Sequence, residues 1–226
     1  MKGAKKMTYK EFEKKYLGKA IDFDKQAGVQ CVDVADQYFV DVIGIKMNEM
    51  PWVRGARDFY NDFDKYPALK KNFDRIPNTL ELIVKMGDVV IWNGGTWGHV
   101  AIGTGEGDLD WFTSLEQNTL GKHEKCQIVK HLFNSRTGVN ACWPVAGVLR
   151  PKDQTKVRGK GTKYTVTYLG GLNIRSGAGV SHKIVGIIKR GELVLVSSTK
   201  KVGTQSWGKL TNGRGWICLT GFTKKG

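Results

Sequence analysis

An α+β domain followed by a small all-β barrel is the fold that three observations in the sequence predict. The early stretches of the chain space their apolar residues for helices, and short β-rich runs between Gly and Asp turns come only afterwards. A stretch rich in Lys, Arg and Gly, "LRPKDQTKVRGKGTK" (149–163), then has no apolar periodicity, as a solvated linker should. Beyond it, β-branched residues alternate with glycine-containing turns to the end. The expected boundaries are 1–150 for the first domain, 151–162 for the linker and 163–226 for the second domain.

Taken in order, "YKEFEKKYLGKAI" and "QCVDVADQYFVDVIGI" carry helical spacing, and "ARDFYNDFDKYPALKKNF" reads as further helix broken at Pro67. "GDVVIWNGG", "WGHVAIGTGEG" and "LDWFTSLEQN" read as strands of an antiparallel sheet. In the second domain, "KYTVTYLGGLNIRSGAG", "HKIVGIIKRGELVLVSSTKK" and "SWGKLTNGRGWICL" supply the strands of the barrel.

The 226 residues are 40% hydrophobic and include seven Trp, a composition that builds a core and excludes a disordered chain. No apolar run approaches the roughly 20 residues of a membrane helix, so membrane insertion is not expected. "MKGAKKMTYKEFEKKYLGKA" has no apolar segment like that of a secretory signal, which gives a cytoplasmic expectation. Four cysteines (Cys31, Cys126, Cys142, Cys218) form no C-x-x-C pair, against a zinc knuckle or a disulfide framework. Charge is unevenly shared. Residues 152–226 hold fifteen Lys or Arg against Asp153 and Glu192, a net of +13 out of +15 for the chain. The second domain is therefore expected to face something anionic: nucleic acid, a membrane surface or a wall polymer.

Cys31 falls at the start of a helix, where unpaired N–H groups and the helix dipole favour a thiolate, the reactive form. A thiolate nucleophile needs an imidazole to take its proton and a polar group to orient that imidazole. Among four histidines, His99 in "TWGHVAI" lies on a strand beside Gly98, which permits close approach, whereas His123, His131 and His182 read as surface residues. Glu116, on a neighbouring strand in "SLEQN", can share a face with His99, and Asn118 two residues on is expected to point the same way. Trp92 and Trp97 flank the turn before His99. Trp97, between polar residues and glycine, is the one expected to line a groove, with Trp52 and Tyr60 as weaker candidates.

"QCVDVADQYF", "GDVVIWNGGTWGHVAI" and "EQN", in that order, resemble the CHAP family of cysteine- and histidine-dependent amidohydrolase/peptidases of bacterial cell-wall lysis. "VAGVLRPK" is similar to that domain's last strand, so the resemblance covers about residues 8–151. NlpC-type peptidases are a weaker match, because "EQN" supplies a carboxylate where they commonly show a second histidine. The resemblance implies a papain-like fold, Cys31 as nucleophile, His99 as base, and Glu116 and Asn118 as polar partners. It also implies attack on an amide of Gram-positive peptidoglycan, by an amidase or an endopeptidase. The oxyanion is expected on the Cys31 N–H and the Gln30 side-chain amide, one such donor being worth about 3 kcal/mol. Trp97 and Trp92 would line the path of a sugar–peptide strand.

Counted from Asp22 as position 1, Asp24, Gln26, Gly28 and Asp33 fall at positions 3, 5, 7 and 12 of an EF-hand-like calcium loop. Ala27 stands at the turn-glycine position, and Asp at position 12 replaces Glu. Three carboxylates this close repel one another unless a cation neutralises them. Some CHAP enzymes carry calcium here, and the resemblance extends that expectation to a structural Ca2+ in this chain.

The tail, with "LNIRSGAG" and "GWI" as anchors, resembles bacterial SH3-type (SH3b) wall-binding domains over nearly all of residues 163–223. Catalytic domain, linker and wall-binding domain together resemble the plan of phage endolysins. That plan implies a monomer that waits in the cytoplasm of an infected host and reaches the cell wall through a holin pore. Its partners would be peptidoglycan and anionic wall polymers, with no nucleic acid. The competing reading is a non-catalytic protein that grips wall polymer or nucleic acid with its basic barrel.

Overall fold

The computed structural model describes residues 6–119, 121, 124–133, 144–153, 157 and 161–226. They fall into two compact units, Met1–Val157 and Arg158–Gly226. His123, Cys142 and residues 154–156 and 158–160 of the expected linker lie outside the described residues.

In the first unit, α1 (Tyr9–Tyr16) opens on a reciprocal cap. The Glu11 N–H donates to Thr8 Oγ1, and the Thr8 N–H donates to the Glu11 carboxylate at 2.7 Å. Helix α2 (Cys31–Tyr38) starts where Gln30 leaves the extended conformation, and the Gln30 N–H donates to Asp33 Oδ2 at 2.6 Å. The helix continues as a π-helical turn, Phe39–Ile43, and stops at Gly44 with φ +78°. The third expected helix is divided into α3 (Asp58–Asn61), a 3-10 turn (Phe63–Lys65) and α4 (Pro67–Asn72). Pro67 begins α4, because the first helical position needs no N–H partner.

Six strands follow: β1 (Phe73–Pro77), β2 (Val89–Trp92), β3 (His99–Gly107), β4 (Trp111–Glu116), β5 (Gln127–Leu132) and β6 (Val145–Pro151). They pair antiparallel in the order β1-β6-β2-β3-β4-β5. Strand β2 is buried on both faces, which is why "VVIW" shows no polar alternation. Val89 and Ile91 join Phe12, Tyr38 and Phe39 under the helices, while Val90 and Trp92 join Phe112 and Val148 in a second cluster. Just before β2, the buried Asp88 carboxylate takes a two-pronged grip from Arg150 of β6, at 2.9 and 2.6 Å. A burial on both faces thus fixes the strand that leads into the His99 turn.

The second unit is a seven-stranded antiparallel sheet: β7 (Thr162–Val166), β8 (Leu172–Arg175), β9 (Ile184–Ile188), β10 (Leu193–Val202), β11 (Gln205–Leu210), β12 (Trp216–Cys218) and β13 (Thr223–Lys225). Their order is β13-β7-β10-β11-β12-β8-β9, around a core that includes Val166, Ile174, Val196 and Ile217. The glycine of "GWI", Gly215, is needed where it stands: its φ is +132°, and a Cβ there would lie 2.3 Å from the Arg175 carbonyl oxygen. Strand β9 ends the sheet with Ile184, Val185 and Ile187 exposed.

Candidate active site

Three elements position the chemistry-bearing side chains, two of them at one open cleft of about 1220 Å³ in the first unit and the third behind it. Cys31 is the first residue of α2 and is half-buried. Its N–H lies in the first turn, where helix geometry offers no intrahelical acceptor. His99 opens β3 directly opposite Trp92 of β2. Gly98 makes that placement possible, because its φ is +71° and a Cβ would meet the Trp92 carbonyl oxygen at 2.4 Å. Glu116 ends β4. Continuing the register Ile102↔Leu115 by one residue sets Glu116 opposite Ala101, one diagonal step from His99.

Glu116 is fully buried, and four side chains converge on it. Thr119 Oγ1 donates to its Oε1 at 2.8 Å, and Ser114 Oγ donates to its Oε2 at 2.8 Å. The same Oε2 lies 3.0 Å from His131 Nε2 and 3.7 Å from His99 Nε2. The last distance is too long for a hydrogen bond, and His99 Nε2 is buried with no hydrogen-bond partner among the described residues. Electrostatics bind the cluster together all the same. Burial pulls the His99 pKa down, but Cys31 and Glu116 both favour the imidazolium and lift it to about 10. Burial works to raise the Glu116 pKa, yet His131 and His99 outweigh it and hold the carboxyl well below the usual range.

The structure therefore brings Cys31, His99 and Glu116 together. Asn118 is placed differently. Strand β4 ends at Glu116, and Asn118 takes φ +55°, so strand alternation no longer sets its direction. Its Nδ2 donates to Gln30 Oε1 at 3.2 Å. Gln30 in turn donates from Nε2 to the Ala27 carbonyl at 2.9 Å, with a second N–H left on that nitrogen. Both Trp97 and Trp92 line the cleft; Trp97 is 62% exposed, and Trp92 is buried with its ring between those of His99 and His131, at 5.3 and 5.0 Å. Trp52 is exposed against Phe23, and Tyr60 packs on the helical core.

Two residues of this site escape the sequence reading. His131, expected at the surface, is on β5, lines the cleft and touches Glu116. Gln117, between the two motif residues considered, is fully buried. Its Nε2 donates to the carbonyls of Ile21 and Gln30, at 2.6 and 2.7 Å, and its Oε1 accepts from the Ile21 N–H at 3.0 Å. It thereby ties the end of β4 to the residue that precedes Cys31. The middle letter of "EQN" was the available signal.

The acidic loop ahead of α2 also closes on itself. Asp22, Asp24 and Asp33 present ligand oxygens within 4.8 Å of one another. Lys25, Ala27 and Gly28 have φ of 61°, 56° and 70°. Ala27 thus adopts the left-handed conformation that the turn position demands without being glycine. Asp33 accepts from the Phe23 N–H at 2.9 Å as well as from Gln30. Its pKa is raised by burial first, against those two N–H groups, and further by Asp24 and Asp22. Asp22 Oδ1 is buried with no hydrogen-bond partner among the described residues. An orphaned carboxylate oxygen aimed into a carboxylate cluster fits a hard cation.

A helix-on-antiparallel-sheet domain with thiol and imidazole in one cleft and a buried carboxylate behind the imidazole defines the class of this first unit. Residues 21–118, which contain all three, match the family described as the CHAP domain. Endolysin PlyTW of Staphylococcus phage Twort is 36% identical over 106 residues, 44% of this chain and 21% of that protein. The match therefore spans about a fifth of the curated relative's length. Among solved structures, Ly7917 with the hydrolysing product of MDP is similar at TM-score 0.45 and 16% identity, over 97% of this chain and 98% of that one. Wild-type endolysin LysIME-EF1 is similar at TM-score 0.43 and 17% identity, over 89% and 75%.

Proposed function

We propose that the chain is a peptidoglycan hydrolase of the endolysin type that cleaves an amide bond through the Cys31 thiolate. The observation that carries the reading is the cleft itself, with Cys31 at a helix N-terminus, His99 beside it and Glu116 behind His99. The CHAP match over residues 21–118 and the likeness to a phage endolysin support it.

With Nε2 turned towards Glu116, Nδ1 of His99 is the nitrogen left to take the Cys31 proton. The thiolate adds to the amide carbonyl carbon, and the negative charge moves to the carbonyl oxygen, held by the Cys31 N–H and the free N–H of Gln30 Nε2. Collapse of this intermediate breaks the C–N bond while His99 gives its proton to the departing amine. Water then adds to the thioester as His99 takes a proton from it, and expulsion of the thiolate frees a carboxylate product. Glu116 stabilises each imidazolium formed on the way. Trp97 offers an exposed ring to the sugar–peptide strand. The scissile bond is either the muramoyl–alanine amide or a bond within the peptides.

A calcium ion would be held by Asp22, Asp24 and Asp33 with main-chain oxygens of Gln26 and Gly28. It would neutralise the three carboxylates and stiffen the loop that leads into Cys31. The second unit acts as an SH3b-type module that binds anionic wall polymer through its basic surface, with the chain working as a monomer on the cell wall.

The second reading, wall or nucleic-acid binding without catalysis, is favoured by the +13 charge of residues 152–226. Cys31→Ala separates the two. Purified peptidoglycan incubated with wild type should release new carboxyl and amine ends, identified by mass spectrometry, and the variant should release none. Equal release by both proteins would leave only the binding reading.

A further inference from the structure

His131 is absent from the reaction just written, yet it makes the closest imidazole contact in the site. Its Nε2 is 3.0 Å from Glu116 Oε2, nearer than His99 at 3.7 Å. Its ring stacks on Phe112 at 5.1 Å and 26°, and lies 5.0 Å from Trp92, so its position is set from two sides. Lys130 beside it turns the other way, its ammonium over the Trp111 ring at 4.1 Å. The groups that face His99 are Cys31 from α2, Glu116 from β4 and, across Trp92, His131 from β5.

A buried carboxylate needs lasting compensation. The hydroxyls of Ser114 and Thr119 are neutral donors, and His99 must surrender its proton to the leaving amine in every cycle. At that moment Glu116 would face a neutral ring and keep only the two hydroxyls as donors. His131 can donate its Nε2–H throughout, because nothing in the reaction asks it for that proton. We propose that His131 is a positioning residue. It anchors Glu116 Oε2 and keeps the carboxylate ionised through the half-cycle in which His99 is neutral. The inference rests on the hydrolytic reading of Cys31 and His99. Without His131, Glu116 would become more basic, the proton shared with His99 would be held more tightly, and protonation of the leaving amine would slow.

Two substitutions divide the ring from the donor. His131→Phe keeps the stack on Phe112 and Trp92 but removes the N–H, and His131→Gln keeps an N–H at a similar reach but removes the ring. On soluble peptidoglycan fragments, His131→Phe should lower kcat by roughly ten- to a hundredfold, the factor one charged hydrogen bond supplies, with KM little changed. The alkaline limb of its pH profile should move to higher pH. His131→Gln should recover most of the lost rate and restore the limb. In the wild type, 15N NMR of the imidazoles should find the His131 proton on Nε2 across the active pH range. An unchanged His131→Phe, equal losses in both variants with no limb shift, or a bare Nε2 on His131 would each overturn the proposal. If His131→Phe does not fold, the NMR result and His131→Gln still decide it. Cys31→Ala run alongside separates the two claims. An inactive Cys31→Ala beside an unaffected His131→Phe removes only the role of His131, whereas an active Cys31→Ala removes the hydrolytic reading and this one with it.

Discussion

Glu116 is the residue on which the site's charge balance turns, and its effects have a definite sign with pH. The His99 pKa is raised from 6.5 to about 10, so its imidazolium adds stability that is fully present below pH 6.5 and lost as pH rises through about 10. The Glu116 pKa is lowered from 4.5, so its contribution is in place above that value and fades as pH falls through the depressed one. The His99 imidazolium and the Glu116 carboxylate therefore coexist across neutral pH. Glu116→Gln removes one of the two groups that lift His99. The alkaline limb of kcat/KM should fall towards neutral pH, and the rate at pH 7 should drop on the order of a hundredfold. A pH–rate series on wild type and variant checks both. His131, by contrast, could not be read from strand spacing. In the β4–β5 register it sits opposite Phe112, and Glu116 sits opposite Gln127. Its contact with Glu116 is off-register, which no period-two rule detects.

At the level of elements, the loop before α2 and the end of β4 fix the surroundings of Cys31 from two directions. Gln117 clamps Ile21 and Gln30, so both ends of the acidic loop are tied to the strand that carries Glu116. The loop between them holds Asp22 and Asp24, which face Asp33 of α2, and three left-handed residues in a row of four, a geometry that gains from a bound cation. Chelation should lower the melting temperature and the lytic rate, and added calcium should restore both; calorimetry and turbidity with and without a chelator measure this. A chain indifferent to chelator in both assays would not use the loop for metal. The helices, the sheet and the spacing of the aspartates were legible in the sequence because each follows local periodicity or fixed offsets. Asn118 was not, since a left-handed residue after Gln117 ends the alternation that seemed to govern it. The break at Pro67 was legible from the proline itself, but the division at Asp62 was concealed, because apolar spacing runs across that turn.

On the scale of the whole molecule, the chain forms two compact units that differ in charge and in fold. Residues 152–226 carry a net of +13, and the first part of the chain is close to balanced. If that charge drives attachment to an anionic wall, binding should weaken steeply as salt shortens the screening length from about 10 Å at 0.1 M to about 3 Å at 1 M. Co-sedimentation with cell walls across that range, before and after removal of their phosphate polymers, tests it. Attachment unchanged at 1 M salt would assign the grip to uncharged contacts instead.

Strand β9 adds a practical outcome. Its outer rim offers free main-chain donors and acceptors flanked by Ile184, Val185 and Ile187, a template on which another extended segment can hydrogen-bond. Mutual repulsion among the surrounding Lys and Arg side chains holds copies apart in dilute buffer. Concentrated, salt-rich or warmed stocks lose that protection, and clumping would then begin at this border, far in sequence from Cys31.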